Sequence, residues 1–539
     1  MPTLSIDDRQ VTVPRGASVL QAAEALGIYI PRYCYHPGLS TAGSCRMCVV
    51  DIEKAPKLEI SCYTQAAEGM VVHTASERVK QARQNILEFL LTNHPLDCPV
   101  CDQSGECDLQ NFYMEFGLYQ SRYLENKVKR RKALPIGPHV MLDNERCILC
   151  SRCVRFCDEV SHSHELGVVN RGDKSEIALC PGKELDNPYS GNVIDICPVG
   201  ALTEKEFRFQ CRVWYLDRAP SICHGCSRGC NIEVHYNVLR PYQSRGKRIL
   251  RLKPRFNPDV NKWWICDEGR YGFEFVDAAD RLQDFEIHTG PEAGTVNAGR
   301  ALHMAHAWIQ DSLDRCGVDS VGLLVSPRLS NEDLYAIRKL ARRLGIDRID
   351  FRNPAERPGY EDDFLIRGDK NPNTRGCLEM GLYRMETNDG AWLAEEAAKG
   401  VLKVLIVFLH DVSQAARFAG AIAGLEHLIF VGSNRNGTAG SAALVLPSAA
   451  WVEKSGSFTN FEGRVQRFER AVAPLAHALP ETEIVAELAA CFGIDRREFE
   501  PERLLSELRA EFPFFNQPAL EPPQPELVYQ TTLSQRSGS

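Results

Sequence analysis

Cysteine placement constrains this chain more than any other feature. The 539-residue sequence holds 21 cysteines, and all but Cys316, Cys377 and Cys491 lie at or before Cys266. They fall in groups with metal-ligand spacing, so the first half is expected to fold around inorganic centres. A chain this long exceeds one core, and several domains are expected. The opening, MPTLSIDDRQVTVP, lacks the basic and apolar regions of a secretory signal. No stretch approaches the length of a membrane span, so neither export nor membrane insertion is expected. Thiols kept reduced in the cytoplasm favour metal over disulfides. The net charge of −8 argues against a nucleic-acid partner.

The first group is Cys34, Cys45, Cys48 and Cys62, with spacing C-x10-C-x2-C-x13-C. Zinc ribbons pair two C-x2-C knuckles, and here there is one. A long loop, a close pair and a distant fourth thiolate suit a [2Fe–2S] site of the plant ferredoxin type. Residues 2–13 predict a hairpin turning at Asp7 and Asp8, and residues 18–26 a helix ended by Gly27. The second group is His94, Cys98, Cys101 and Cys107, following a strong helical pattern over 77–92. A histidine at a helix end often serves only the helix dipole. Three cysteines directly after it, with no fourth nearby, point instead to ligation. A neutral imidazole in place of an anionic thiolate raises a cluster's reduction potential; Cys3His zinc is the competing reading.

The third group, Cys147, Cys150, Cys153 and Cys157, has the C-x2-C-x2-C-x3-C run of bacterial ferredoxins. In that run the fourth cysteine serves another cluster and precedes proline. Asp158 follows Cys157, and no second run exists. The fourth ligand therefore comes from elsewhere: Cys197, in ICPVGAL, is favoured for its ferredoxin-like ending, and Cys180, also before proline, is the rival. The fourth group is Cys223, Cys226, Cys230 and Cys266, spaced C-x2-C-x3-C-x35-C among strand-like segments. Four thiolates with one remote member suit a [4Fe–4S] cubane, with zinc as the alternative. Cys157, Cys180, Cys211, Cys316, Cys377 and Cys491 are read as structural thiols.

From about residue 320, apolar runs alternate with helical patterns. VGLLVS (321–326), VLKVLIVFLH (401–410) and HLIFVGS (427–433) predict strands of a parallel α/β sheet. The glycine-rich GSNRNGTAG (432–440) does not match a dinucleotide fingerprint. The basic run KVKRRK (127–132) reads as a solvated segment, and the Pro-rich residues 516–539 as an extended tail.

The order of the four groups resembles the large iron–sulfur subunit, known as the G subunit, of bacterial NADH:quinone oxidoreductase (respiratory complex I). The opening is similar to related subunits of NAD-linked hydrogenases and formate dehydrogenases. WVEKSGSFTNFEGRVQRFERAV and DDFLIRGDKNPNTRG resemble segments of the molybdopterin oxidoreductases and of that large iron–sulfur subunit. The resemblance implies a multidomain α+β and α/β fold. A β-grasp [2Fe–2S] ferredoxin domain (1–78) would lead, followed by a His/Cys3 [4Fe–4S] domain (79–118) and a [4Fe–4S] ferredoxin-like domain (119–218). A [4Fe–4S] domain of molybdopterin-oxidoreductase type (219–275) and a degenerate α/β domain (276–515) would complete it. It implies one [2Fe–2S] cluster on Cys34, Cys45, Cys48 and Cys62. It implies three [4Fe–4S] clusters, on His94, Cys98, Cys101 and Cys107, on Cys147, Cys150, Cys153 and Cys197, and on Cys223, Cys226, Cys230 and Cys266. No functional molybdopterin is expected, because Cys316 sits in a helical pattern and Cys377 in a glycine-flanked loop.

The implied function is one-electron relay from NADH and flavin toward quinone, with no complete NADH or quinone site on this chain. Electrons are expected to enter at the His94 or [2Fe–2S] end and to leave through the Cys147 cluster, with the fourth cluster off the path. The expected partners are a flavin/NADH-binding subunit, a small [2Fe–2S] subunit and quinone-side subunits. The complex would lie on the cytoplasmic face of the inner membrane. Two other readings stand beside this: a relay subunit of a soluble NAD-linked hydrogenase or formate dehydrogenase, and a zinc-stabilised scaffold.

Overall fold

The computed structural model describes residues 1–291, 293–353, 357–383 and 390–517. The expected extended tail lies outside the described residues from 518 onward. The chain forms two compact units. One is built from Met1–Leu216 with Tyr242–Arg245, the other from Asp217–Pro241 and the chain from Gly246 on.

The first unit opens with strands β1 (Thr3–Ile6) and β2 (Arg9–Thr12), turned at Asp7 and Asp8, which both take positive φ. Helix α1 (Val19–Ala25) follows, its start closed by a Ser18/Gln21 capping box. Strands β3 (Val49–Ile52), β4 (Glu59–Ile60) and β5 (Val71–His73) complete a five-stranded sheet in the order β2-β1-β5-β3-β4, with β1 and β5 parallel. This sheet with one helix packed across it is the expected β-grasp. Its core gathers Leu4, Ile6, Val19, Leu20, Val50 and Val72. Helix α2 (Glu77–Leu91), capped by Ser76, and helix α3 (Asp108–Phe116) flank the second cysteine group. Helix α4 (Arg152–Glu159) carries Cys153 and Cys157.

In the second unit a three-stranded antiparallel sheet (Asp217–Ile222, Asn231–Tyr236, Ile249–Pro254) holds the fourth cysteine group at its end. A seven-stranded sheet follows. Its parallel part runs Leu444–Pro447, His427–Gly432, Val404–Phe408, Val321–Val325, Ile349–Phe351, so the predicted strands are present. Apolar clusters cover both faces, as burial of a parallel sheet requires. Cys316 is exposed at the end of the helix Ala298–Cys316. Cys377 lies in a short helix, Thr374–Glu379, rather than a loop, and is fully buried in the core. The second unit also buries charge. Arg281 makes a bidentate pair with Glu453, and Lys454 bridges Asp333 and Glu481 at 2.5 Å each. Among the described residues no helix is long and apolar enough to cross a membrane.

Candidate iron–sulfur sites

Strand register explains the first site. Val49 pairs with Ile60, which sets Cys48, one residue before β3, beside Ser61 and Cys62. Ser61 ties the corner, its backbone N donating to the Cys48 carbonyl at 3.0 Å and its hydroxyl at 2.8 Å. The thiols associate in pairs: Cys34 with Cys45, and Cys48 with Cys62. A hydrogen bond from Cys45 pulls the Cys34 thiol down to about 5, and one from Cys62 brings Cys48 to about 7, while their partners are pushed up. Two pairs of sulfurs suit two irons. Gly43 takes φ +62° with Ile60 3.1 Å from where a Cβ would sit, a bend that favours glycine.

The second site is a cavity of about 360 Å³ whose walls include His94, Cys98, Cys101 and Cys107. Burial lowers the His94 ring to about 4, so it is neutral at physiological pH. Its Nδ1 is buried without a hydrogen-bond partner. An orphaned buried group costs about 1–3 kcal/mol, and a metal–nitrogen bond would relieve it. Ligation requires this neutral form. Cys98 is exposed, and Cys101 and Cys107 are buried. Gly200 closes the far wall: a Cβ there would fall 2.3 Å from the Cys101 sulfur.

The basic run 127–132 is largely exposed, as expected, and is also tied to its neighbours. Lys127 donates to the carbonyls of Leu91 (2.6 Å) and Thr92 (3.0 Å), at the end of α2. Val128 N donates to the Asn93 side chain, and Lys132 pairs with Asp97 and Glu145. Arg146 also grips Asp97, at 3.2 and 2.7 Å. A cation on a helix end contributes about 0.3–1 kcal/mol. The larger effect of these ties is positional: they hold both ends of the His94–Cys98 loop.

A two-strand register builds the third site. Leu142 pairs antiparallel with Leu202. Cys147 lies five residues after the first and Cys197 five before the second, so both arrive at the same end of the pair. A small cavity, about 20 Å³, is lined by Cys147, Cys150, Cys153 and Cys197, and neither Cys157 nor Cys180 borders it. Cys180 is drawn off by the separate hairpin Leu166–Val169/Glu176–Leu179, its N donating to the Glu165 carbonyl. Cys157 is fully buried on α4, and burial lifts its thiol to about 12. Burial likewise raises Cys147 to about 12 and Cys197 to about 11. Bare thiolates are disfavoured here unless a cation compensates them. Leu149 and Ser151 take positive φ, bending the loop that carries Cys147, Cys150 and Cys153 around the cavity.

Neutral amides close the loop of the fourth site, and Lys370, Glu268 and Arg228 act on its cysteines. Loop 223–230 is closed by Cys223 N donating to the Cys230 carbonyl at 2.8 Å. Gln466, on the hairpin Gly456–Thr459/Val465–Phe468, donates to the Gly229 carbonyl and accepts from Asn231. Ser227 is held on both sides, donating to the Asp369 carbonyl and accepting from Phe461 N. The two segments singled out by resemblance thus converge on this loop. A Cβ on Gly269 would meet both Cys223 (2.9 Å) and Cys266 (3.4 Å), so the remote fourth cysteine joins the group. Burial raises Cys223 to about 12, and Cys226, Cys230 and Cys266 also rise. His224 stacks on Trp451 at 3.9 Å and is held neutral by burial. Among the described residues no three Cys, His, Asp or Glu groups are close enough to hold a single metal ion.

Sequence reasoning missed Gly200, the Asp97/Lys132/Arg146 clamp and the Gln466 contacts. These act across long sequence separations and leave no local pattern.

Comparison with known proteins agrees with this layout. Residues 1–77 match a 2Fe-2S iron-sulfur cluster binding domain, and 83–122 the NADH-ubiquinone oxidoreductase-G iron-sulfur binding region. Residues 137–203 match the ferredoxin-like domain of NADH-quinone oxidoreductase subunit 3. Residues 216–278 match the molybdopterin oxidoreductase Fe4S4 domain, and 376–491 molybdopterin oxidoreductase itself. Fold and sites define a multidomain iron–sulfur protein with a C-terminal half of molybdopterin-oxidoreductase type. The G subunit of NADH-quinone oxidoreductase from Streptomyces coelicolor is 39% identical over 75% of this chain and 46% of its own length. Its counterpart from Rickettsia felis is 29% identical over 92% of this chain and 88% of its own length. The chain belongs to the family of NADH-quinone oxidoreductase G subunits. It spans about half of some relatives and most of others. A chain of an NAD+-reducing [NiFe]-hydrogenase structure, 33% identical, matches 39% of this chain and 91% of its own, with a TM-score of 0.36.

Proposed function

We propose that this chain relays single electrons within an NADH-quinone oxidoreductase, through one [2Fe–2S] and three [4Fe–4S] clusters. The ligands are Cys34, Cys45, Cys48 and Cys62; His94, Cys98, Cys101 and Cys107; Cys147, Cys150, Cys153 and Cys197; and Cys223, Cys226, Cys230 and Cys266. Iron–sulfur clusters accept and release electrons one at a time, and the protein supplies spacing, charge and burial. The observation that carries this reading is one small apolar core. Tyr33, Met47, Leu87, Phe112, Val199 and Ala201 pack there against Cys45, Cys107, Cys147, Cys150 and Cys197, cysteines of three sites.

This packing revises the expected exit. The third site is the middle station: Arg152 ties it to the first by donating to the Tyr35 and Ile196 carbonyls, and Gly200 and Pro198 tie it to the second. The ends are the [2Fe–2S] site and the His94 site. Exposed Cys98, beside exposed Leu96 and Val100, makes the His94 site the exit toward quinone-side subunits. Flavin/NADH-binding and small [2Fe–2S] subunits serve the other end, and the complex sits peripherally on the cytoplasmic membrane face. The test is metal and sulfide analysis of the purified full chain, with low-temperature EPR after dithionite reduction. Iron and sulfide matching one two-iron and three four-iron centres are expected. Zinc without iron, or no paramagnetic signal, would overturn the proposal.

A further inference from the structure

Helix α4 presents Arg152 and Arg155 at i, i+3 spacing, on one face, and both reach the first module. They differ in what they touch. Arg152 donates to the carbonyls of Tyr35 (2.6 Å) and Ile196 (3.0 Å), each one residue away from a cysteine of a site. One terminal nitrogen of Arg155 donates to the Cys34 carbonyl and to the Cys150 carbonyl, the latter at 3.4 Å. A single nitrogen thus joins a cysteine of the first site to a cysteine of the third. The other terminal nitrogen of Arg155 donates to the Ser40 carbonyl. Ser40 is fixed from its opposite side by Glu159, which accepts from its backbone N at 2.7 Å and from its hydroxyl. The guanidinium is therefore held in place at three carbonyls, and both Arg155 and Arg152 act electrostatically on Cys150.

We propose that Arg155 is the link between the [2Fe–2S] site and the Cys147/Cys150/Cys153/Cys197 site, setting both the transfer rate and the two potentials. This rests on the function proposed above. From thiolate to thiolate the covalent path is broken only by the two hydrogen bonds at this nitrogen. An electron that passes oxidises the centre it leaves and reduces the centre it reaches, one for one, with no bond made or broken and no proton moved. The fixed cation also favours the reduced, more negative state at both ends. Arg155 is a positioning residue, since it acts through the ligand cysteines.

The test uses the full chain with its clusters, compared with Arg155→Met and Arg155→Lys. Redox titration followed by EPR gives each midpoint, and rapid freezing after a pulse of reductant gives the transfer between the two signals. Arg155→Met removes charge and bridge: both midpoints fall and transfer slows several-fold, while the His94 and Cys223 sites keep their midpoints. Lysine keeps the charge as a point but not the planar fork, so Arg155→Lys restores the midpoints and leaves transfer slow. Glu159→Gln, which leaves every ligand and Arg155 in place and only loosens Ser40, gives a milder slowing. Wild-type midpoints and wild-type transfer in Arg155→Met with both signals intact would overturn the link. So would unaltered transfer in both Arg155→Lys and Glu159→Gln. Absence of both signals from the unaltered chain would overturn the function proposed above instead.

Discussion

The two units hold their cysteines by different means. In the first, three sites share one core, and charged side chains run between them: Arg152, Arg155 and the Asp97/Lys132/Arg146 clamp. In the second, one site is wrapped by amides from Asn231, Asn261 and Gln466 with the Lys370–Glu268 pair and Arg228 beside it, and further charges pair deep in the scaffold. Charge beside a cluster tunes its potential, whereas amides mainly satisfy backbone. Charged side chains thus join one site to another in the first unit, whereas those of the second stand beside a single site.

The most severe way to break the comparison is to remove a middle ligand. Cys197→Ala should abolish the third cluster's EPR signal and cut transfer between the two ends, while Cys180→Ala keeps both. The reverse result would return the ligand to Cys180. Next is Gly200→Ala. A methyl 2.3 Å from the Cys101 sulfur must displace it, so the His94-site signal should broaden or vanish while the [2Fe–2S] signal persists.

The scaffold side can be tested by Arg281→Leu. It leaves the fully buried Glu453 carboxylate with Arg248 as its remaining ion-pair partner, so the cost falls below the roughly 3–5 kcal/mol of stranding a buried charge outright. Calorimetry should show a thermal transition lowered accordingly, with the first unit's EPR signals unchanged. The smallest effect is expected from His94→Cys. The cluster should survive with a lower midpoint, because a thiolate adds negative charge; an unchanged midpoint would mean that His94 is not a ligand.

Much of this was legible before the fold. Spacing alone indicated the close cysteines of the first and fourth groups, because thiolates near in sequence stay near in any fold, whereas Cys62 and Cys266 are brought in by the fold. The parallel strands were readable because they are buried on both faces and run as continuous apolar segments, such as Val404–Phe408. The choice of Cys197 over Cys180 was not settled by spacing, since both precede proline. What places Cys197, and not Cys180, beside Cys147 is the Leu142/Leu202 register, a pairing across some sixty positions that leaves no local trace. The packing of the third site between the other two was illegible for the same reason. KVKRRK is exposed as expected, but its ties were illegible, because the carbonyls that end α2 and the carboxylates of Asp97 and Glu145 lie elsewhere in the sequence.

On the proposed function, the first unit carries the electron path and the second an independent centre. EPR-monitored redox titration of a full-length Cys226→Ala/Cys266→Ala variant tests it most directly. One [4Fe–4S] signal should disappear, and the other three should keep their midpoints and the transfer between them. Loss or shift of any of those three signals, or no signal lost at all, would contradict it.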